Sequence, residues 1–223
     1  MIKLVAFDWN GTIFADTNAV VRSETAILKY YGMKPTSVRE FREYYDIPIS
    51  KYWVNMRLNL NEYHREARKI EEIFVKAYEP QESLCRTRSG SREILNWLKK
   101  NKIPAIIFSN HTLPHIQKQL KRLGIFALFD AILARELGDI SHMHQRSKDT
   151  KLASYVKNLK LMPKEVLAIG DTTEEIEIGK KFGYFTVALT GGYQSTRRLV
   201  AAKPDFIIHN LKQVVPIINN FKS

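Results

Sequence analysis

Cysteine is almost absent: Cys85 is the only one among 223 residues. No internal disulfide can form, which excludes a disulfide-stapled scaffold and makes a reducing cytoplasm the expected compartment. A single thiol with no marked partner reads as a spectator and not as a nucleophile. No stretch approaches the roughly 18 apolar residues that a membrane-spanning helix needs. Met1-Ile2-Lys3 leads straight into an apolar run, so a cleavable signal is not expected. Internal repeats, low-complexity tracts and recognised nucleic-acid motifs are missing as well. Acidic residues are outnumbered, 23 against 35 Lys and Arg, for a net charge of +12.

What remains is an ordinary folded chain, 44% hydrophobic and 26% charged, long enough for one sizeable core and a smaller accessory domain. The positive charge is uneven. Residues 16–85 balance eleven basic against eleven acidic residues, whereas residues 86–160 hold fifteen basic and five acidic. Such a surplus attracts anionic substrates, and a nucleic-acid partner stays the lesser of its readings because no motif supports it. Lys99-Lys100-Asn101-Lys102 also suits a plain helix end, where cations meet the dipole.

Three apolar runs carry the chemistry. Leu4-Val5-Ala6-Phe7 ends in Asp8-Trp9-Asn10-Gly11-Thr12, Ile103 to Phe108 ends in Ser109-Asn110, and Val166-Leu167-Ala168-Ile169 ends in Gly170-Asp171. Buried strands of a parallel sheet read as continuous apolar runs, and open α/β sheets bind ligands at their carboxyl edge. Gly11 suits a turn at positive φ, and Thr12 sets a hydroxyl beside the carboxylate. Gly170-Asp171-Thr172 also reads as a helix N-cap, which is compatible with metal binding.

Around these runs helices and strands alternate. Thr17 or Asn18 caps a helix that stops at Gly32, and Ser37-Val38-Arg39-Glu40 has capping-box spacing for a helix through Tyr45. A short helix is expected over Tyr52 to Leu58, and a long amphipathic one over Asn61 to Tyr78, ended by Pro80. Beyond Ser91 come a helix to Lys100, strand 103–108, helix 113–123, strand 131–133, helix 149–159, strand 166–169, a helix ending before Gly183, strands 185–189 and 206–208, and a last helix. The expected fold is therefore α/β, a doubly wound parallel, Rossmann-like sheet formed by residues 1–15 and 86–223. Residues 16–85 form an inserted helical domain.

The order Asp-x-x-Gly-Thr, Ser109, Lys148, Gly170-Asp171 resembles the haloacid dehalogenase-like hydrolase superfamily, mostly magnesium-dependent phosphatases. The likeness covers the whole chain, and the insert sits where that family places a helical cap. It implies a phosphoric monoester hydrolase acting on a small phosphorylated metabolite through an aspartyl-phosphate on Asp8, with Mg2+ as cofactor. Asp8, Asp171, Glu175 and the backbone carbonyl of Asn10 are the implied metal ligands. Glu175 stands where the family often has Asp and ranks behind Asp171. Thr12, Ser109, Asn110 and Lys148 are the implied phosphate contacts, Ser147-Lys148 opening a helix as in the family and Lys151 being the rival lysine. Gly191-Gly192-Tyr193 is either a plain turn or part of the site rim. His142 and His144, in a polar loop, are expected to be solvated. The pairs Tyr30-Tyr31, Tyr44-Tyr45 and Tyr52-Trp53 either pack the insert or close over a leaving group, and Tyr44-Tyr45-Asp46-Ile47-Pro48 resembles a cap segment of phosphoglycolate phosphatases.

Asn10 departs from the pattern. Phosphatases of the family carry Asp two residues after the nucleophile, where it protonates the leaving group and activates water, which an amide cannot do. A start of the form Asp-Trp-Asn-Gly-Thr also occurs in a phosphatase branch of the family. Three alternatives stay open: a catalytically weak phosphate binder or regulator, a dehalogenase, or a phosphonatase using Lys29, Lys34 or Lys51 as Schiff base.

Overall fold

The computed structural model describes residues 1–144 and 148–221. Ser147 therefore lies outside the described residues. Six parallel strands, β1 (Leu4–Phe7), β2 (Ala105–Thr112), β3 (Ala131–Arg135), β4 (Val166–Gly170), β5 (Phe185–Leu189) and β6 (Phe206–Ile208), form one sheet in the order β3-β2-β1-β4-β5-β6. Alternate residues of the central strands enter two separate clusters. Val5, Phe7, Ile107 and Ile169 pack with α5 (Ser91–Lys100), α6 (Leu113–Leu123) and α10 (Val214–Asn220). Leu4, Ala6, Ile106 and Ala168 pack with α7 (Lys148–Asn158) and α8 (Thr173–Phe182). Helices thus cover both faces, as a doubly wound sheet requires and as strands apolar on both sides dictate. A short α9 (Thr196–Ala201) joins β5 to β6.

Between β1 and α5 the chain makes only helices: α1 (Thr17–Tyr30), α2 (Val38–Tyr44), α3 (Ile49–Asn55) and α4 (Leu60–Glu82). The outgoing and returning segments pair where they cross, Ala15 N–H to Arg86 C=O at 2.8 Å and Arg88 N–H to Ile13 C=O at 2.8 Å. Ser37 makes the expected capping box with Glu40.

Several sequence expectations are corrected. The residue capping α1 is Asp16, without a side-chain cap bond, because its carboxylate turns to Asn10 and Gly11. The short helix lies over Ile49–Asn55, earlier than Tyr52 to Leu58. Pro80 does not end α4, which runs to Glu82. A proline this near the carboxyl end removes one intrahelical bond only, and Gln81 Nε2 donates to Ala77 C=O at 3.1 Å in the same turn. Strand β2 does not stop at Phe108 but continues to Thr112 across an irregularity between Phe108 and Thr112, which carries Ser109 and Asn110. Bulges of this kind re-aim side chains beside functional sites.

Candidate active site

Register places the chemistry. Phe7 is level with Ile107 and Ile169, so Asp8, Ser109 and Asp171 all emerge just beyond one line across the sheet. Asp8 N–H donates to Ile169 C=O at 2.8 Å, which fixes the backbone at the point where the carboxylate leaves the strand.

Lys148, the first residue of α7, is buried, and its ammonium lies 3.0 Å from Asp8 Oδ1, 3.0 Å from Glu174 Oε2, and against Glu175 Oε1. Burial alone would lower its pKa, but Asp8, Glu174 and Glu175 more than reverse this and keep it cationic. The ring of Phe108 lies 5.1 Å from the same ammonium. Lys151, the rival, donates to Ala134 C=O instead. Asp8 has its pKa raised well above the usual carboxylate range by burial, with Lys148 pulling it down and Glu175 and Asp171 pushing it up.

Asp171 is fully buried and accepts from Thr12 Oγ1 and from Tyr193 N–H, each at 2.6 Å. Its pKa is pushed up to about 7 by burial and then by Glu175, against the bonds from Thr12 and Tyr193. Gly11 has φ of +74°, and a Cβ there would come within 2.2 Å of Asp171 Oδ2; a Cβ at Gly192 would come within 2.1 Å of the same atom. Glycine at both places is what lets two turns close on this carboxylate. The Gly191-Gly192-Tyr193 stretch is thus part of the site. The Thr12 hydroxyl, expected at a phosphate, donates to Asp171 in this structure and so orients a carboxylate.

The N-cap of α8 is Thr172, not Asp171, and Glu175 completes the capping box through Thr172 N–H at 3.0 Å and Thr172 Oγ1 at 2.8 Å. Glu174 was missed by the sequence reading. It meets Lys148 and accepts from Asn110 Nδ2 at 2.8 Å. The signal was present in the tandem Glu174-Glu175 of a helix whose first turn must face the sheet edge. Ser109 Oγ accepts from His111 N–H at 3.1 Å and borders the same cavity as Asp8.

Asp16 was missed too, and it explains Asn10. The Asn10 amide donates to Asp16 Oδ2 at 2.6 Å, joined by Tyr78 OH at 2.6 Å and Tyr193 OH at 2.9 Å, while Gly11 N–H reaches Oδ1 at 3.0 Å. Burial raises the Asp16 pKa against these four donors. An aspartate at position 10 would have no proton to give Asp16 unless it stayed protonated, so Asn10 and Asp16 fit as a pair.

A cavity of about 610 Å³ extends from Asp8, Ser109 and Lys148 into the helical insert. His142 is corrected: it lines this cavity, half-buried, with Nε2 3.9 Å from Glu71 Oε2, because the turn Ser141–Met143 lies against the insert, where Met143 C=O accepts from Tyr63 OH. His144 is exposed beside His64. Tyr52 and Trp53 are both buried and Tyr45 nearly so, while Tyr30 and Tyr44 are exposed. Lys29, Lys34 and Lys51 are exposed and do not line the cavity. Cys85 is half-buried, and burial pushes its thiol up to about 11, which suits a spectator.

The donor chemistry fits a hard divalent cation. Asp8, Asp171, Glu174 and Glu175 are buried together; Glu175 and Asp171 raise the proton affinity of Asp8, Glu175 raises that of Asp171, and Lys148 is the cation beside Asp8. Among the described residues no three acidic, histidine or cysteine side chains already form a closed metal cage. Magnesium does not require one, since it is held by one or two carboxylates together with water and substrate phosphate.

A doubly wound sheet whose first strand ends in a buried carboxylate, beside a buried lysine and a second acidic strand end, is the arrangement of an α/β enzyme core with its site at the carboxyl edge. Residues 2–183 match the model of the haloacid dehalogenase-like hydrolase family, and the chain belongs to that family. It is similar to a phosphoglycolate phosphatase of Pseudomonas fluorescens, 26% identical over 219 residues that cover 96% of this chain and 79% of the relative. A phosphoglycolate phosphatase of Synechococcus elongatus is 24% identical over 207 residues, 93% of this chain and 92% of that one. Among solved structures, a haloacid dehalogenase-like family protein of Streptococcus pneumoniae superposes with a TM-score of 0.80 at 19% identity, covering 97% of this chain and 98% of that one. Among the described residues no helix is long and apolar enough to cross a membrane.

Proposed function

We propose that this chain is a magnesium-dependent phosphatase that hydrolyses monoesters of small phosphorylated organic compounds, residues 16–85 serving as the cap over a core of residues 1–15 and 86–223. The observation that carries the reading is the Asp8 carboxylate, ion-paired with Lys148 on the wall of a cavity and emerging at the same sheet edge as Ser109 and Asp171. The relatives named phosphoglycolate phosphatase support the phosphomonoester class.

An Asp8 oxygen attacks phosphorus, the bond from phosphorus to the ester oxygen breaks, and the leaving alkoxide or phenoxide takes up a proton. Water then attacks the acyl phosphate, releasing inorganic phosphate and the Asp8 carboxylate. Lys148 balances the charge of the phosphoryl oxygens, and Ser109 with the backbone near Asn110 supplies hydrogen bonds. Thr12, Gly11 and Gly192 hold Asp171 in place. Asp8, Asp171 and Glu175, with the Asn10 carbonyl, are the oxygens that would hold magnesium, whose charge would oppose that of the phosphoryl group. The Asn10 amide, bound to Asp16, provides no acid or base, so esters with good leaving groups should be the faster substrates. The reducing environment suited to Cys85 fits a cytoplasmic setting.

The test is turnover of an aryl phosphate with magnesium and with chelator, and with Asp8→Ala. Activity should require the metal and fall by at least about a thousandfold in the variant, and acid quenching should trap phosphate on Asp8. Metal-independent turnover, or full activity in the variant, would overturn the assignment.

A further inference from the structure

Resting on that reading, the cavity itself specifies what the phosphate is attached to. Its volume of about 610 Å³ lies in the range of sites for drug-sized ligands. It equals the space of about twenty water molecules, whereas a two-carbon phosphate ester has only about nine non-hydrogen atoms. A substrate that small would leave most of the chamber unfilled.

The walls contributed by the insert include a set of large apolar side chains. Ile27 comes from α1, Ile49 and Trp53 from α3, and Ile70 and Phe74 from α4. Water in such a chamber finds few partners, so an apolar group that displaces it binds favourably.

Beside the acceptor Asn110 Oδ1 and the ring nitrogen His142 Nδ1, two outright donors of lining residues are left over. Trp53 Nε1 and Arg135 Nη1 are buried and have no hydrogen-bond partner among the described residues, although both side chains line the cavity. Buried donors are nearly always paired, and leaving one unmade is unfavourable. An acceptor on the ligand would satisfy them.

That acceptor is uncharged. The remaining hydrogen-bonding edge of Arg135 is already turned to Asn110 C=O and, through Nη2, to Glu71 Oε1 at 3.7 Å. Away from Asp8, the acidic and basic lining is Glu24, Glu71, Glu72 and Glu79 against Lys76 and Arg135. No surplus of positive charge exists there for a second anion. Burial holds the His111 imidazole down to about 3 and lowers that of His142, so at neutral pH both add polarity without charge.

We propose that the leaving group of the natural substrate is a bulky, predominantly apolar alcohol or phenol bearing an uncharged hydrogen-bond acceptor and no second negative charge. The phosphoglycolate of the named relatives, with its carboxylate, is then a poor fit for this chain.

Calorimetry on the full chain in magnesium, with non-hydrolysable phosphonates, tests the assignment apart from catalysis. Methoxybenzylphosphonate should bind at least about tenfold tighter than methylphosphonate, and phosphonopropionate, the carboxylated probe, no tighter than methylphosphonate. Trp53→Phe keeps an aromatic ring and removes the unpaired N–H, so the advantage of methoxybenzyl over plain benzyl should shrink. Phosphonopropionate binding tightest, equal binding of all probes, or no binding of any would overturn the proposal. An unchanged preference for methoxybenzyl in Trp53→Phe would overturn the part played by that donor. Turnover of the matching esters separates the two readings. If no ester is hydrolysed while the phosphonate ranking holds, the hydrolase reading fails and the ligand class stands. If esters are hydrolysed without that ranking, the hydrolase stands and the ligand class falls.

Discussion

Replacing Asn10 by aspartate sets a second carboxyl group against Asp16, at the place where the amide now donates across 2.6 Å. Two carboxylates at that separation repel by roughly 6 kcal/mol at an effective dielectric of about 20, which corresponds to about four to five pKa units. The pair therefore retains one proton at neutral pH, as adjoining carboxyls do. Asp16 keeps Tyr78, Tyr193 and Gly11 as donors and is the better stabilised anion, so the proton resides on the introduced group. A protonated carboxyl bordering the cavity with Asp8 is the general acid that an amide cannot be. Asn10→Asp should then raise turnover of alkyl phosphates relative to aryl phosphates, by up to about 10²–10⁴-fold. The stability effect has a definite sign. The introduced group binds its proton more tightly folded than unfolded, so stability falls by about 1.4 kcal/mol per pH unit above pH ~4 and levels off above the folded-state pKa. The assay is kcat/KM for matched aryl and alkyl esters across pH, with urea unfolding in parallel. An alkyl-to-aryl ratio equal to that of the parent at every pH, in a folded variant, would refute the reasoning. So would a parent enzyme that already hydrolyses alkyl esters as fast as aryl ones, since another residue must then supply the proton.

Two further outcomes follow from the buried carboxyls. Asp171→Asn should weaken magnesium binding by about tenfold or more and by more than Glu175→Gln, and parent affinity should fall as the pH drops through about 7, where a proton occupies Asp171; calorimetric titration showing equal or reversed effects would mean the inner ligand is misassigned. Glu24, buried in the insert and accepting from Tyr52 OH at 2.6 Å, has its pKa pushed up to about 8 by burial. Its folded-state pKa is raised, so the parent is favoured at low pH and loses stability toward about pH 8, up to roughly 5 kcal/mol in all; Glu24→Gln should remove that slope, and parallel urea midpoints for the two proteins between acid and mildly alkaline pH would contradict it.

By itself the sequence determined the strands and the edge they share. Runs such as Leu4-Val5-Ala6-Phe7 and Val166-Leu167-Ala168-Ile169 are apolar at every position, which only a strand covered on both faces tolerates, and each ends in the residue that serves the site. Local chemistry was equally legible: the Ser37 capping box, the stop at Gly124 and the positive φ of Gly11 depend on residues within one turn of each other. Helix ends in the insert were less so, because Pro80 near a carboxyl terminus is tolerated by packing that no local pattern encodes. What only the tertiary structure decided are the partners drawn from distant segments. Thr12 could be seen to lie beside Asp8, but that its hydroxyl belongs to Asp171, 159 positions away, follows from β1 and β4 being neighbours. The same holds for Asp16, an ordinary helix-start residue until Tyr78 and Tyr193 close on it, and for Glu174, which shares Lys148 with Glu175. Side-chain type is written in the chain, but which buried polar group must satisfy which other depends on where folding brings them, and in this protein that pairing sets the character of the site.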